Sequence, residues 1–266
     1  MSSRQTVVEV VGTPGAGKTT VAHELIAMLR EAGLEAGTIV DMARPHAGAT
    51  LPGRVVNAVA PERLRSPLLW QVFYGYGVLG AAGVWLSDRP LARHVVRSER
   101  ARALPSASKR HTLFWFFQLA GRRRFLAKRP RAGEVLVVDD GFLHRSVALH
   151  ASPDETPDPA AISRYVDLLP RPDLVLAVRA RPDVCRERIR DRGLWRHRSG
   201  MSDGELASYV RHADAVVQGA VAHARSNGWP IVDVDNDGEG VDGVREELRE
   251  VVTRLAPERH ASEVRP

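Results

Sequence analysis

The sequence predicts an α/β fold in which helices cover both faces of a parallel five-stranded sheet. Short β-branched runs alternate with amphipathic segments, and a glycine-rich turn follows the first run. Of the 266 residues, 44% are hydrophobic and 26% are charged, which is the balance of a globular domain. The single cysteine excludes an intramolecular disulfide and a zinc site of several thiolates, so we expect a reducing, cytoplasmic location.

The predicted strands are residues 6–11, 37–41, 134–140, 172–178 and 230–234. The third run, EVLVVDD, is rich enough in valine and leucine to indicate burial on both faces. Helices are predicted over residues 18–30, 159–169, 182–192 and 241–255, and from a capping box of Ser202 and Glu205 to near Gly228. Because strands and helices alternate, ligands should bind at the carboxyl ends of parallel strands.

The turn after the first strand matches the P-loop pattern at every fixed position. Its glycines let backbone N–H groups surround a phosphate, and the next helix adds the positive end of its dipole. Lys18 would reach the β- and γ-phosphates, and the Thr19 hydroxyl would bind Mg²⁺. The pattern therefore predicts a three-layer P-loop NTPase fold with ATP and Mg²⁺ as cofactors. The predicted nucleotide-binding residues are Gly12, Thr13, Pro14, Gly15, Ala16, Gly17, Lys18, Thr19 and Thr20.

Two adjacent aspartates, Asp139 and Asp140, end the buried third strand. P-loop enzymes keep an acidic residue for Mg²⁺ at this position, and strand alternation points one of the two side chains into the ligand crevice. We predict Asp139, with Thr19, for the metal and Asp140 for the acceptor side of the catalytic site. Arg145 is predicted to bind a phosphate, whereas His144 is expected to be an ordinary buried or surface histidine. The alternative for the aspartates is that they cap the next helix.

Three further residues are candidate catalytic groups. Asp41, at the end of the predicted second strand, could accept a hydrogen bond from a substrate hydroxyl or act as a base, and a turn aspartate is the alternative. Arg188 and Arg192 share one helical face and could together neutralise a transferring phosphoryl group. The loop beyond them adds Arg196 and Arg198. The alternative is a solvated basic helix.

A helical insertion for the acceptor or a lid is predicted at about residues 46–133 of a single domain, 1–255, and residues 256–266 are expected to form a flexible tail. Residues 67–86 contain no charge and have the length of a membrane-spanning helix. A span here would separate the P-loop from the strand that ends at Asp139, and residues 112–121 are too few to return. We expect buried helices or an apolar acceptor pocket, with shallow membrane contact as the alternative. Aromatic side chains that could stack a base are Trp70, Phe73, Tyr74, Trp115 and Phe116.

The net charge of +6 does not by itself indicate nucleic acid, which is not an expected partner. A basic cluster could bind phosphates or an anionic membrane surface, although such clusters are more typical of a solvated helix face. Its members are Arg122, Arg123, Arg124, Lys128, Arg129 and Arg131. A homodimer is compatible with the sequence.

Four segments resemble thymidylate-kinase-like enzymes of the nucleoside and nucleotide kinase superfamily: GTPGAGKTT, VVDDGF, PDLVLAVRARPDVCRERIRDRG and IVDVDND. The resemblance covers about two thirds of the chain. It implies ATP phosphates at residues 12–20, a lid at residues 186–198 and adenine near residues 233–237. Thymidylate kinases carry Asp-Arg in place of Asp139-Asp140 and Glu-Pro in place of Arg44-Pro45, so the acceptor side departs from the family.

The sequence thus predicts an ATP-dependent kinase for a small molecule, with a nucleoside or nucleotide as the first candidate. A non-nucleotide metabolite or an apolar acceptor is the alternative substrate. A nucleotide-hydrolysing switch is a different class, but the guanine-selecting Asn-Lys-x-Asp motif is missing from the sequence. A sulfotransferase is disfavoured, because the Gly-Lys-Thr ending is typical of a triphosphate site.

Overall fold

Five strands form one parallel sheet, which confirms the predicted fold class. A computed structural model describes residues 5–102, 106–128, 131, 133–193, 201–238 and 242–256. The strands are β1 (Thr6–Gly12), β2 (Glu35–Gly37), β3 (Glu134–Val138), β4 (Leu174–Arg179) and β5 (Ile231–Asp235), in the order β2-β3-β1-β4-β5. The predicted lid positions Arg196 and Arg198, and the tail beyond Ala256, lie outside the described residues.

Helices connect the strands throughout the described part of the chain. They are α1 (Lys18–Glu31), α2 (Ile39–Gly48), α3 (Leu51–Val59), α4 (Glu62–Ser87), α5 (Arg89–Ala101), α6 (Ser106–Ala127), α7 (Arg145–His150), α8 (Pro159–Asp167), α9 (Pro182–Arg192), α10 (Asp203–Ser226) and α11 (Asp242–Leu255). The helices predicted between and after the strands are confirmed, including the capping box of Ser202 and Glu205 at the start of α10.

The second strand and the segment after it correct the sequence prediction. Residues 37–41 were expected to be a strand that ends at Asp41, but β2 ends at Gly37 and α2 begins at Ile39. The reason is a capping box: Thr38 Oγ1 accepts a hydrogen bond from the Asp41 N–H, and Asp41 Oδ2 accepts one from the Thr38 N–H. Capping of the first helical turn outweighs the β-propensity of Ile39 and Val40.

The register of the central strands brings their carboxyl ends together. Val8 lies opposite Leu174, and Gly12 lies opposite Val178, which in turn lies opposite Val234. Every residue of β3 is buried, as its valine-rich sequence predicts. The P-loop therefore leaves the sheet beside the end of β4.

The chain packs as two compact units. One consists of Met1–Gln5 and Gly37–Leu136, and we call it the helical unit because it holds α2 to α6. The other consists of Thr6–Ala36 and Val137–Pro266, and we call it the P-loop unit. The predicted insertion at residues 46–133 falls within the helical unit.

The uncharged segment 67–86 lies in the long helix α4, which packs along α6. Phe125 of α6 contacts Phe73 edge-on and stacks on Tyr76, with ring centroids 5.4 and 4.7 Å apart, and Trp85 stacks on Phe117 at 5.4 Å. Among the described residues, no helix combines the length and the apolar character that crossing a membrane requires.

A buried polar cluster ties α2 to the start of β3 inside the helical unit. Glu134 accepts a hydrogen bond from Gln5 Nε2 at 2.6 Å, and its Oε1 lies 2.9 Å from His46 Nε2. All three side chains are buried. Mutual hydrogen bonding offsets the cost of burying these groups.

Candidate functional site: the P-loop and its neighbours

The P-loop has a backbone that only glycine adopts readily. Gly15 and Gly17 have φ values of 90° and 87°, in the left-handed region. A Cβ on Gly15 would overlap the Cys185 carbonyl oxygen, and one on Gly17 would overlap Asn236 Nδ2. Gly17 is also the N-cap of α1 and provides no side-chain cap, so first-turn N–H groups are available to an anion.

Lys18 folds back over this loop. Its Nζ donates hydrogen bonds to the carbonyl oxygens of Gly12 at 3.1 Å and Thr13 at 3.3 Å. Desolvation lowers the pKa of Lys18 to about 8, although the negative charges of Asp140 and Asp139 act in the opposite direction. The ammonium group of Lys18 is thus poorly hydrated, and a bound anion would stabilise its charge.

Asp139 and Asp140 have different partners. Thr19 Oγ1 donates to Asp139 Oδ2 at 3.0 Å, whereas Arg145 Nη2 donates to Asp140 Oδ2 at 2.5 Å. The structure thereby places Asp139 beside the P-loop hydroxyl and Asp140 beside the predicted phosphate-binding arginine. Desolvation raises the pKa of the Asp140 carboxyl, and the positive charge of Arg145 acts in the opposite direction. Because 53% of the Asp140 side chain is exposed, water screens both effects.

Thr19 and Asp139 fit a magnesium ion as a pair. A hydroxyl oxygen and a carboxylate oxygen are hard donors of the kind Mg²⁺ prefers. The described residues contain no group of three or more His, Cys, Asp or Glu side chains that could hold a metal ion. A cation at this pair would therefore need nucleotide oxygens and water to complete its coordination, which is how Mg²⁺ is usually bound in phosphoryl-transfer sites.

His144 belongs to this site, although no functional role was predicted for it. Its ring is hydrogen-bonded to the Gly12 backbone, and desolvation, with the nearby charges of Lys18 and Arg145, holds its pKa well below the ordinary value. The imidazole of His144 is therefore neutral and is hydrogen-bonded to Gly12, the same residue whose carbonyl oxygen accepts a hydrogen bond from Lys18. No local pattern signals this contact, because it joins residues more than a hundred positions apart.

Arg188 of α9 reaches the P-loop. Its Nη2 donates to the Gly238 carbonyl oxygen at 3.3 Å, while Nη1 is buried without a hydrogen-bond partner and lies 3.9 Å from the position a Cβ on Gly17 would occupy. Arg192 is close enough for its charge to lower the pKa of Lys18. An orphaned buried guanidinium nitrogen beside an uncapped helix N-terminus fits an anionic ligand.

The chain after β5 holds the other side of the P-loop. Asn236 Nδ2 donates to the Ala16 carbonyl oxygen at 2.7 Å. Asp233, in the region predicted to lie near adenine, instead pairs with Arg179 at 2.9 Å and Arg225 at 2.8 Å. Asn236 was not singled out from the sequence, since its partner is 220 positions away.

A cavity of about 560 Å³ adjoins the P-loop unit's strand ends. Thr13 lies in its wall and donates through Oγ1 to Asp214 of α10 at 2.8 Å. Both aliphatic and charged side chains line the cavity; its lining residues include Val178, Ala180, Val217, Val221, Asp235 and Asp237. A space of this size with such a mixed lining can hold a flat ring system and a polar substituent.

Glu9, in the middle of β1, fixes the backbone that follows the two aspartates. It is 1% exposed and accepts hydrogen bonds from the N–H groups of Phe142 at 2.8 Å and Leu143 at 3.1 Å. Tyr165 donates to the Phe142 carbonyl oxygen at 2.7 Å from the other side. Both contacts position the segment that carries Asp140 and Arg145.

Replacement of Glu9 by Gln is expected to lower the free energy of unfolding by about 1–3 kcal/mol, because an amide NH₂ would face a buried N–H donor. Urea denaturation measures this change. Glu247→Gln is the matched control, since the exposed Glu247 also accepts a backbone hydrogen bond, from Asp235. Equal stability of the two variants would contradict the positioning role of Glu9.

The helical unit holds the remaining predicted residues. Asp41 lies in the first turn of α2, not in a turn after a strand, and completes the capping box; its role toward a substrate stays a prediction. It also borders a cavity of about 520 Å³ whose lining residues are Val40, Asp41, Arg44, Ser66, Pro67, Trp70 and Gln71. A carboxylate from Asp41, a guanidinium from Arg44 and the indole ring of Trp70 thus line one cavity.

Four of the five aromatic candidates surround one guanidinium group. Arg122 lies over the rings of Trp70, Phe73, Tyr74 and Trp115 at 5.3–5.9 Å from their centroids. Desolvation lowers its pKa, and its Nε and Gln118 Oε1 are buried without hydrogen-bond partners. Phe116 is instead fully buried. We call the group of Arg122, Gln118 and the four rings the arginine box.

Comparison with known proteins finds similarity among solved structures. The sequence matches no family model and no curated protein. Among solved structures, the chain is similar to deoxyadenosine kinase from M. mycoides with bound dCTP, with 11% sequence identity and a TM-score of 0.41 over 95% of this chain and 100% of that chain.

Proposed function

We propose that the protein is an ATP-dependent kinase that phosphorylates a nucleoside or nucleotide. The observation that supports it most directly is the convergence on one loop of Lys18, the Thr19–Asp139 pair and Arg188 with its orphaned Nη1. Phosphoryl transfer depends on such groups, because catalysis consists mainly of positioning and of stabilising charge on the transferring phosphoryl group.

Each group has a role that its position supports. Lys18 and the N–H groups at the start of α1 bind the donor phosphates, and Arg188 and Arg192 neutralise charge that develops during transfer. Thr19 and Asp139 would hold Mg²⁺, which when bound neutralises phosphate charge. The cavity beside Thr13 takes the base and ribose of the donor, since it lies next to Asp235 and Asp237.

The helical unit supports a flat, polar acceptor. Its cavity at Asp41 and Arg44 offers one acidic and one basic group, and Trp70, which borders that cavity, also belongs to the arginine box. Trp70 offers an indole ring at this cavity, which suits a flat ring with polar substituents. A nucleobase combines these properties better than an aliphatic metabolite.

The decisive experiment incubates the purified protein with ATP labelled on the γ-phosphate and a panel of nucleosides, nucleotides and other cytosolic metabolites. We expect one labelled product from the nucleoside and nucleotide group, and its loss in a Trp70→Ala variant through a raised KM. Release of free phosphate alone, whatever the acceptor, would support the hydrolysing switch instead. A labelled product outside the nucleoside and nucleotide group would retain the kinase and reject the acceptor class.

Nucleotide affinity should fall as pH rises through the pKa of Lys18. With a pKa of about 8 in the free protein, Lys18 is mostly charged at pH 7 and mostly neutral at pH 9, and phosphate binding favours the charged form. The association constant for ADP should therefore fall about tenfold between these pH values. Isothermal titration calorimetry measures it. Lys18→Arg is the control, because a guanidinium stays charged; the same pH dependence in that variant would contradict the assignment to Lys18.

A further inference from the structure

One face of α4 exposes large apolar side chains near both ends of the helix. Across the described residues, every large hydrophobic side chain that is exposed lies between Val40 and Trp115, in the helical unit. We define the α4 face by its exposed large side chains, whose exposed fractions range from 41% to 73%: Leu64, Leu68, Val78, Leu79, Trp85 and Leu86. The exposed Gln71 and Gly75 separate Leu64 and Leu68 from the other members, and the exposed Ala82 lies between Leu79 and Trp85, all at helical spacing on the same side of α4.

A neighbouring helix extends this surface. Phe114 and Trp115 of α6 are 43% and 37% exposed. Phe114 contacts Tyr74 of α4 with ring centroids 6.4 Å apart. The apolar surface therefore spans two packed helices and includes exposed indole rings from both, which are side chains favoured at a boundary between water and lipid.

The helical unit is also strongly basic. Residues 37–136 contain 17 Lys and Arg but only 5 Asp and Glu, a net charge of +12, whereas the rest of the chain carries −6. Cationic side chains border the α4 face at both ends: Arg63 lies at its start, Arg89 follows its end, and Arg124 donates to Ser87. The α4 face, with arginines at both ends, is complementary to a surface that has negatively charged groups on the outside and apolar groups beneath them.

We propose that the α4 face docks the protein on an anionic lipid bilayer, with α4 lying parallel to the membrane surface. Its 26 residues extend about 39 Å, long enough for the apolar side chains to enter the headgroup region together. Apposition of a second copy through this face would bring together two 37–136 segments, each with a net charge of +12, so the two copies would repel each other. A nucleic acid would satisfy the arginines but leave the apolar stripe in water.

Vesicle co-sedimentation tests the proposal with the full chain. We expect binding to vesicles of equal parts phosphatidylglycerol and phosphatidylcholine, little binding to phosphatidylcholine alone, and weaker binding at high salt. The double variant Leu79→Gln/Leu86→Gln should lower the partition coefficient about tenfold or more. Leu51→Gln on α3 is the matched control, because Leu51 is 78% exposed but lies outside the α4 face. The melting temperature of each variant verifies folding.

Three results would overturn the proposal. The first is the same partition of wild type into neutral and anionic vesicles, or none into either. The second is binding to anionic vesicles that Leu79→Gln/Leu86→Gln weakens no more than Leu51→Gln does, since charge alone would then explain it. The third is a wild-type dimer in sedimentation velocity that the double variant dissociates, because a second copy would then cover the face. None of these outcomes depends on the proposed kinase activity.

Discussion

Lys18→Ala should lower kcat/KM by about three orders of magnitude and leave the melting curve nearly unchanged. Among the described hydrogen bonds, Lys18 Nζ donates only to two loop carbonyl groups, and the burial of its charge is itself unfavourable, so its loss should change stability little. The same change removes a preorganised cation from the transferring phosphate, where such groups contribute several kcal/mol. The measurement is steady-state turnover with the acceptor identified by labelling, together with thermal unfolding by circular dichroism.

Lys128→Ala serves as the matched control for this prediction. Lys128 is one of only three lysines and is exposed just after α6, so its removal changes the net charge by the same amount. We expect wild-type turnover from it. Near-normal turnover of Lys18→Ala, with folding intact, would mean that the P-loop does not bind the reacting phosphates.

Asp139→Asn and Asp140→Asn should impair the protein in different ways. Asp139 accepts from the Thr19 hydroxyl, so its amide variant should raise the Mg²⁺ concentration for half-maximal activity about tenfold or more. Asp140 pairs with Arg145, so its variant should leave that concentration unchanged and alter the KM for the acceptor or the melting temperature. Kinetic titrations with Mg²⁺ and with the acceptor separate the two effects. A larger Mg²⁺ requirement in Asp140→Asn would reverse the assignment.

Local sequence signals were sufficient for four of the five strands and for the P-loop. The glycine pattern specifies a backbone that the structure shows at Gly15 and Gly17, and the valine-rich run of β3 is buried as predicted. These features depend on residues that are close together along the chain, so local composition and residue spacing are enough to predict them. The error at residues 37–41 arose because Ile39 and Val40 favour a strand, while the competing Thr38–Asp41 capping box was not weighed.

Long-range contacts could not be predicted in this way. Glu9 accepts hydrogen bonds from N–H groups more than 130 positions away, and Asn236 donates one to the Ala16 carbonyl oxygen, 220 positions away. Both residues have ordinary local surroundings: one is an acid in a strand and the other a polar residue in a turn. Their roles depend on which strands become neighbours in the sheet, and no motif in a single sequence states that order.

The position of β1 in the middle of the sheet has a consequence for biosynthesis. Its neighbour β4 follows about 166 residues later, and the Asn236 contact completes the P-loop only after 220. At about 5–20 residues per second, a ribosome needs on the order of 10–40 seconds to supply both. We expect the nascent chain to expose one unpaired edge of the apolar β1 during most of this interval, to depend on chaperones, and to acquire nucleotide binding only after Asn236 has emerged from the ribosome.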